Sequence, residues 1–238
     1  MPRFPLILCA IVAVAGFAFG QLHDPALTEG LGLLEEARTT LEEKPLTLAR
    51  DFFAQLTKKD SGNAIYFFNL ARTESYLVEM YASRRDNKNA GRVLDDAVRD
   101  AQLAIRLNDN SADAHSLLAD LYGRQISLGG FLSGMRYGPK SDAENKRALA
   151  LDANNPRVHA SLGRQYLHSP KMFGGDVDKA IESFRKATQL DPNYDEPYVW
   201  LAIACRKKGD ADAAGKALHE ALRLNPRSAF ARHTQSAK

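Results

Sequence analysis

The sequence predicts an all-α solenoid of about five helix-turn-helix units, and three observations support this. Two segments near the C-terminus end alike, KATQLDPN at 186–193 and EALRLNPR at 220–227. Their prolines, Pro192 and Pro226, lie 34 positions apart. Small and apolar residues recur at the same period further back, with few strand signals between them. A fixed period of this length is typical of stacked helical pairs that share one continuous core.

The last unit, 195–228, shows the pattern best. Its small and apolar residues fall at positions four, seven, eight and 11 of a first helix and at 20, 24 and 27 of a second. They are Tyr198, Leu201, Ala202, Cys205, Ala214, Leu218 and Ala221. Because an α-helix has about 3.6 residues per turn, each set forms one face. Gly209 and Asp210 supply the turn between the helices, and Pro226 ends the second.

These positions closely resemble the tetratricopeptide repeat, and the resemblance implies a right-handed α-solenoid. The same register extends back to about residue 26. Matching residues of the earlier units are His159, Leu162, Gly163, Tyr166, Ala180, Phe184 and Ala187; His115, Leu118, Ala119, Tyr122 and Ala148; Phe67, Leu70, Ala71, Ala97, Ala101 and Ala104; and Ala49, Phe53 and Leu56. Three positions depart from the pattern, since Asn145 replaces an aromatic residue and Ala153 and Asp109 replace prolines.

The chain divides into three parts. Residues 1–20 read as a cleaved signal peptide, because a short positive start precedes an apolar run and Ala18 and Gly20 are small. The alternative is an inner-membrane anchor through residues 4–19, which are fewer than the roughly 20 residues of a typical span. Residues 21–226 form the solenoid, and 227–238 are expected to be a basic, flexible tail. The predicted location is periplasmic or secreted, with no membrane span in the mature chain.

Composition and motifs argue against several function classes. The formal net charge of +3 gives no reason to expect a nucleic-acid partner. Removal of Cys9 with the signal would leave Cys205 alone, so no internal disulfide is expected. The sequence has no metal, phosphate-binding or nucleophile motif, which predicts no cofactor, no metal site and no catalytic residue. His115 and His159 share repeat position four and are expected at the edge of the core.

One candidate binding surface follows from the resemblance. Tetratricopeptide scaffolds bind partners with positions two, five, nine and 12 of their first helices. Here these positions give Ile65, Phe68, Arg72, Ser75, Asp113, Ser116, Asp120, Arg157, Arg164, Glu196, Val199, Ile203 and Arg206. Three inward arginines, Arg72, Arg164 and Arg206, suggest a protein or peptide partner with an acidic or C-terminal segment, because a guanidinium matches a carboxylate. The family's paired Lys and Asn carboxylate clamp is absent.

Two insertions form the second candidate surface. They lie at 126–140 and 168–176, each between the two helices of its unit, and are expected on one edge of the solenoid. Their candidate contact residues are Phe131, Leu132, Met135, Tyr137, Met172 and Phe173. Two interpretations remain open: the insertions fold back to seal the edge, or they contact a partner.

The FGGD segment at 173–176, followed by a repeat helix, resembles exported solenoids such as the T-component of TRAP solute transporters. That resemblance implies an accessory transporter subunit as an alternative function. The leading prediction is an exported, non-enzymatic scaffold for protein–protein interaction. An enzyme with a scattered site is a further alternative.

Overall fold

Ten α-helices and one short 3₁₀ helix make up this computed structural model, which describes residues 24–236. The predicted signal peptide, residues 1–20, lies outside that range. Within it there is no strand, and no helix is long and apolar enough to cross a bilayer. The helices are α1 Pro25–Thr40, α2 Glu43–Lys59, α3 Ala64–Ser83, α4 Asn87–Leu107, α5 Ala112–Leu151, α6 Pro156–His168, α7 Val177–Leu190, α8 Asp195–Lys208, α9 Ala211–Leu224 and α10 Ala229–Ser236. The 3₁₀ helix, Lys171–Phe173, lies between α6 and α7.

Consecutive helices pair into the five predicted units. The third unit consists of the two parts of α5, which join at Gly130, where φ is 71° and ψ is −152°. Glycine allows this backbone conformation because it has no Cβ. Each helix packs on its neighbours in chain order, as in a helical solenoid. The predicted all-α fold of about five units is confirmed.

Small residues allow the paired helices to approach each other closely. The alanines predicted at positions eight, 20 and 27 are buried throughout the described units, and most are fully inaccessible. In unit four, position eight is Gly163, against which the ring of Phe184 packs. Polar caps define the helix starts; Asp176, for example, accepts hydrogen bonds from the backbone N–H groups of Asp178 and Lys179 at 2.9 and 3.2 Å.

A recurring hydrogen bond at the junctions between units accounts for both histidines singled out in the sequence. The side chain at position four contacts the backbone carbonyl six residues earlier, at position 32 of the preceding unit. The three pairs are His115–Asp109 at 3.1 Å, His159–Ala153 at 2.9 Å and Tyr198–Pro192 at 3.4 Å. These contacts satisfy a carbonyl near a helix end and give the histidines a structural role.

The expectation of a flexible tail needs correction for residues 229–236, which form α10. This helix begins 34 residues after α8 and so occupies the place of a sixth first helix. Nε of Arg232 donates to the carbonyl of Pro226 at 3.0 Å, which repeats the junction contact of the other units. Ala231 is fully buried. The prediction of a tail was based on the local positive charge and did not extend the 34-residue register beyond residue 226.

A pair of carboxyl groups is buried between α3 and α4. Glu74 is 5% exposed and Asp100 is 4% exposed. Burial is the main cause that raises the pKa of Glu74 to about 9, and the charges of Asp100 and Asp96 also contribute. Burial also raises the pKa of Asp100. The Glu74 carboxyl therefore holds its proton at neutral pH.

Glu74→Gln is expected to flatten the pH dependence of stability. The folded-state pKa lies above the unfolded value of about 4.5, so stability is complete below that pH and falls as pH rises towards 9. One such group contributes at most about 1.4 kcal/mol per pH unit. Urea unfolding between pH 5 and 9 should show a steeper loss for the wild type than for Glu74→Gln. The exposed Glu220→Gln is the control, and equal slopes for all three proteins would contradict the prediction.

Candidate functional site

The two ends of the described solenoid meet and enclose a central cavity. Nη1 of Arg38 in α1 donates to Oδ1 of Asp195 in α8 at 2.9 Å. The hydroxyl of Tyr76 in α3 donates to Oε1 of Glu196 at 2.6 Å. On the surface, Nη2 of Arg227 lies 2.5 Å from Oε1 of Glu36. Five units therefore curl far enough for the first two to contact the last.

The inner helices line this cavity, and nine of the 13 predicted groove residues lie in its wall. Those nine are Phe68, Arg72, Ser75, Asp113, Ser116, Asp120, Arg157, Arg164 and Glu196. A neighbouring depression shares Phe68, Arg72, Asp113 and Arg157 with it and adds Ile65.

The other three predicted residues lie towards the end of the solenoid that α10 covers. Val199 is fully buried and Ile203 is half-buried in the C-terminal core. Nη1 of Arg206 donates to the carbonyl of Thr234 in α10 at 2.5 Å. Arg206 is therefore engaged within the chain, and only two of the three predicted inward arginines, Arg72 and Arg164, lie in the cavity wall.

Sequence reasoning missed several residues of the cavity wall. Tyr76 and Arg124 occupy position 13 of units two and three, one helical turn beyond position nine. Extending the inner face by one turn would have found them. Arg38 and Phe230 reach the cavity only because the ends of the solenoid meet, so their positions depend on the curvature of the whole array.

Three of the cavity arginines have carboxylate partners. Arg38 pairs with Asp195, Arg124 pairs with Glu79 at 2.6 Å, and Arg164 pairs with Asp120. Burial alone would lower the pKa of Arg164, but the charge of Asp120 and the hydrogen bond to it raise the pKa above its usual value. These pairs are fixed parts of the wall.

Two cavity arginines, Arg72 and Arg157, form no ion pair with any residue in the described range 24–236. The guanidinium of Arg157 lies 5.7 Å from the centroid of the Tyr194 ring. Burial acts to lower the pKa of Arg72, but Tyr76, Tyr194 and Glu196 together raise it overall. The nearby carboxylate of Asp113 accepts a hydrogen bond from Asn155 Nδ2 at 3.0 Å. Two half-buried positive charges therefore line the cavity without an ion pair in the described residues, although Arg72 also interacts electrostatically with Glu196.

Glu196 carries negative charge into the same wall. Burial would raise its pKa, but Arg38, the Tyr76 hydroxyl, Arg164 and Arg72 together lower it. Glu196 is thus ionised at neutral pH and helps to join the two ends of the solenoid. Trp200 lies beside it in the wall; its ring stacks on Phe184 with centroids 6.4 Å apart, and it contacts Phe230 at 5.1 Å.

The insertions keep most of their apolar side chains in solvent. Phe131, Leu132 and Met135 follow the Gly130 break, and Met172 and Phe173 belong to the 3₁₀ helix; all five are exposed. Tyr137 instead folds back and stacks on Tyr122 with ring centroids 5.6 Å apart. The insertions therefore seal the edge only at Tyr137 and the half-buried Ile126 and Leu128.

Comparisons with known proteins agree with this architecture. Residues 174–233 match the family model described as tetratricopeptide repeat. A solved structure of a thermophilic tetratricopeptide-repeat protein from Thermus thermophilus superposes with a TM-score of 0.66 at 18% identity. The match covers 89% of this chain and 96% of that one. The crystal structure of MamA gives a TM-score of 0.42 at 21% identity and covers 82% of this chain and 95% of that one.

One curated relative matches over 185 residues at 26% identity: regulator of microtubule dynamics protein 3 of Rattus norvegicus. The match covers 69% of this chain, but the chain spans only about two fifths (39%) of that relative's length. The recurring sequence positions indicate the same fold as the stacked helical pairs and the family match. The chain therefore has the fold of tetratricopeptide-repeat proteins, and its residues 174–233 match that family; this fold indicates a scaffold for protein–protein interaction.

Proposed function

We propose that the chain is an exported, non-enzymatic scaffold that holds a partner protein by a carboxylate-bearing segment in the central cavity. The observation that carries this proposal is the pair Arg72 and Arg157, which line the cavity without ion-pair partners in the described residues. A buried or half-buried cation is costly unless an anion compensates it. A peptide carboxylate supplies that anion, and guanidinium donors match its two oxygens.

The remaining wall suits the backbone and side chains of a peptide. Phe68, Tyr194 and Trp200 offer aromatic surface beside the two arginines. Ser75 and Ser116 direct their hydroxyls to carbonyls of their own helices, at 2.7 and 3.0 Å, so their oxygens remain able to accept hydrogen bonds. The cavity thus combines a carboxylate site with apolar and polar contacts.

Selection from a library of random peptides displayed with free carboxyl termini tests the proposal. The wild-type chain is expected to enrich acidic C-terminal sequences. Arg72→Gln and Arg157→Gln should each weaken binding of an enriched peptide about tenfold or more, since a hydrogen bond to a charged group contributes about 1.5–3 kcal/mol. Arg223→Gln is the matched control, because Arg223 pairs with Glu220 on the exposed surface.

Enrichment that ignores acidic residues, or that persists when both arginines are replaced, would refute the cavity as a carboxylate site. Export rests on the pattern of residues 1–20 and has a separate readout. The intact mass of the chain recovered from producing cells should correspond to a start at Gln21.

A further inference from the structure

Five exposed apolar side chains form the surface that we name the apolar edge: Phe131, Leu132, Met135, Met172 and Phe173. Met172 and Leu132 are 79% and 77% exposed, the two highest values for large apolar residues in the described chain. They belong to insertions that leave the solenoid at equivalent places in consecutive units. Several large apolar side chains exposed on the insertions of consecutive units mark an interaction site more often than a single surface residue does.

The charges of the two insertions are mostly positive. The segments 126–140 and 168–176 carry Arg136, Lys140 and Lys171, and their one acidic residue, Asp176, is the N-cap of α7. Arg136 and Lys140 lie 5.3 and 5.6 Å from the centroid of the Tyr137 ring. None of the three cations forms an ion pair with a residue of the described range, so each can bind an external anion.

From this combination we propose that the apolar edge docks onto the surface of an anionic lipid bilayer. Phenylalanine, leucine and methionine enter the region between headgroups and acyl chains, and flanking Arg and Lys bind lipid phosphates. Three cations per copy would repel each other if the same edge paired with a second copy, so self-association fits less well. This surface is separate from the cavity, and the inference does not depend on the cavity's ligand.

Geometry supports shallow docking on the bilayer. The second part of α5 begins directly after the Gly130 break, and its first turn presents Phe131, Leu132 and Met135 to solvent. In the other insertion, the 3₁₀ helix presents Met172 and Phe173 beside Gly174, whose φ is 86°. The first group therefore lies at the N-terminal end of the second part of α5, and the second lies on a short 3₁₀ helix.

A position-specific fluorophore tests this in the full chain, whose apolar N-terminus would confuse a simple vesicle-binding assay. Leu132→Cys in a Cys9→Ser background is labelled with the environment-sensitive dye NBD; Cys205 is buried and is not expected to react. Leu48→Cys is the matched control, since Leu48 is also exposed but lies on α2 of unit one. The probes are vesicles of phosphatidylcholine with and without phosphatidylglycerol.

NBD at position 132 should brighten several-fold and shift to the blue with phosphatidylglycerol vesicles, while NBD at position 48 should not. Arg136→Gln and Lys171→Gln should each raise the lipid concentration at half-response about fivefold, which corresponds to about 1 kcal/mol per cation near an anionic surface. No response at 132, or equal responses at both positions or with both vesicle types, would overturn the proposal. So would a response that depends on protein concentration without vesicles, or one that requires a protein extract.

Discussion

Gly163→Leu is expected to destabilise unit four by about 3 kcal/mol or more, which is the upper end of the usual cost of overpacking a core. A Cβ at Gly163 would lie 2.5–2.8 Å from three ring atoms of Phe184, well inside normal contact. Phe184 is fully buried and its ring stacks on Trp200, so it has little freedom to move aside. Leucine adds three further carbon atoms to that overlap.

Gly215→Leu is the matched control for this substitution. Gly215 lies within α9, and a Cβ there would meet no atom within 4 Å. Leucine has the higher helix propensity, so this variant should keep its stability or gain up to about 1 kcal/mol. Urea unfolding followed by circular dichroism measures both. Similar midpoints for the two variants would show that the close approach of α6 and α7 at Gly163 does not limit stability.

The local part of this fold could be predicted from the sequence. The contact between Gly163 and Phe184 joins positions eight and 24 of one unit, and a periodic pattern reports such contacts directly. The same logic places the buried alanines and the five units. The sequence prediction missed α10 because it relied on the local excess of positive charge and not on the 34-residue register. Arg232 occupies position four of that register, as His115 and His159 do in their units.

The cavity could be predicted only in part, for a different physical reason. Inner-face positions follow from the resemblance to tetratricopeptide scaffolds, and this reasoning found Arg72, Arg157 and Glu196. Whether an arginine has a carboxylate partner depends on distances between units. The pattern within a single unit does not encode those distances. The contact between Arg38 and Asp195 joins residues 157 positions apart and requires the summed rotation of every unit between them.

Arg38→Met is expected to have the second large effect, a loss of about 3–5 kcal/mol, because it removes the cation from a buried ionic cluster. The side chain of Arg38 is 14% exposed, and those of Asp195 and Glu196 are 4% and 18% exposed. Without Arg38 these carboxylates lie buried with less compensation. Urea unfolding should show the loss, and small-angle X-ray scattering should show a larger radius of gyration because the two ends separate.

Arg227→Met is the matched control, since Arg227 also joins the two ends but pairs with Glu36 on the surface. An exposed pair contributes about 0–1 kcal/mol, so this variant should stay closed. Equal losses for the two variants would contradict a dominant role for the buried cluster.

A rescue experiment separates the effect of the unpaired carboxylates from the lost packing of the Arg38 side chain. Adding Asp195→Asn and Glu196→Gln to Arg38→Met should restore part of the stability. In Arg38→Met alone the pKa of Glu196 loses its main lowering charge and rises, so lowering the pH should protonate that carboxylate and narrow the gap to the wild type.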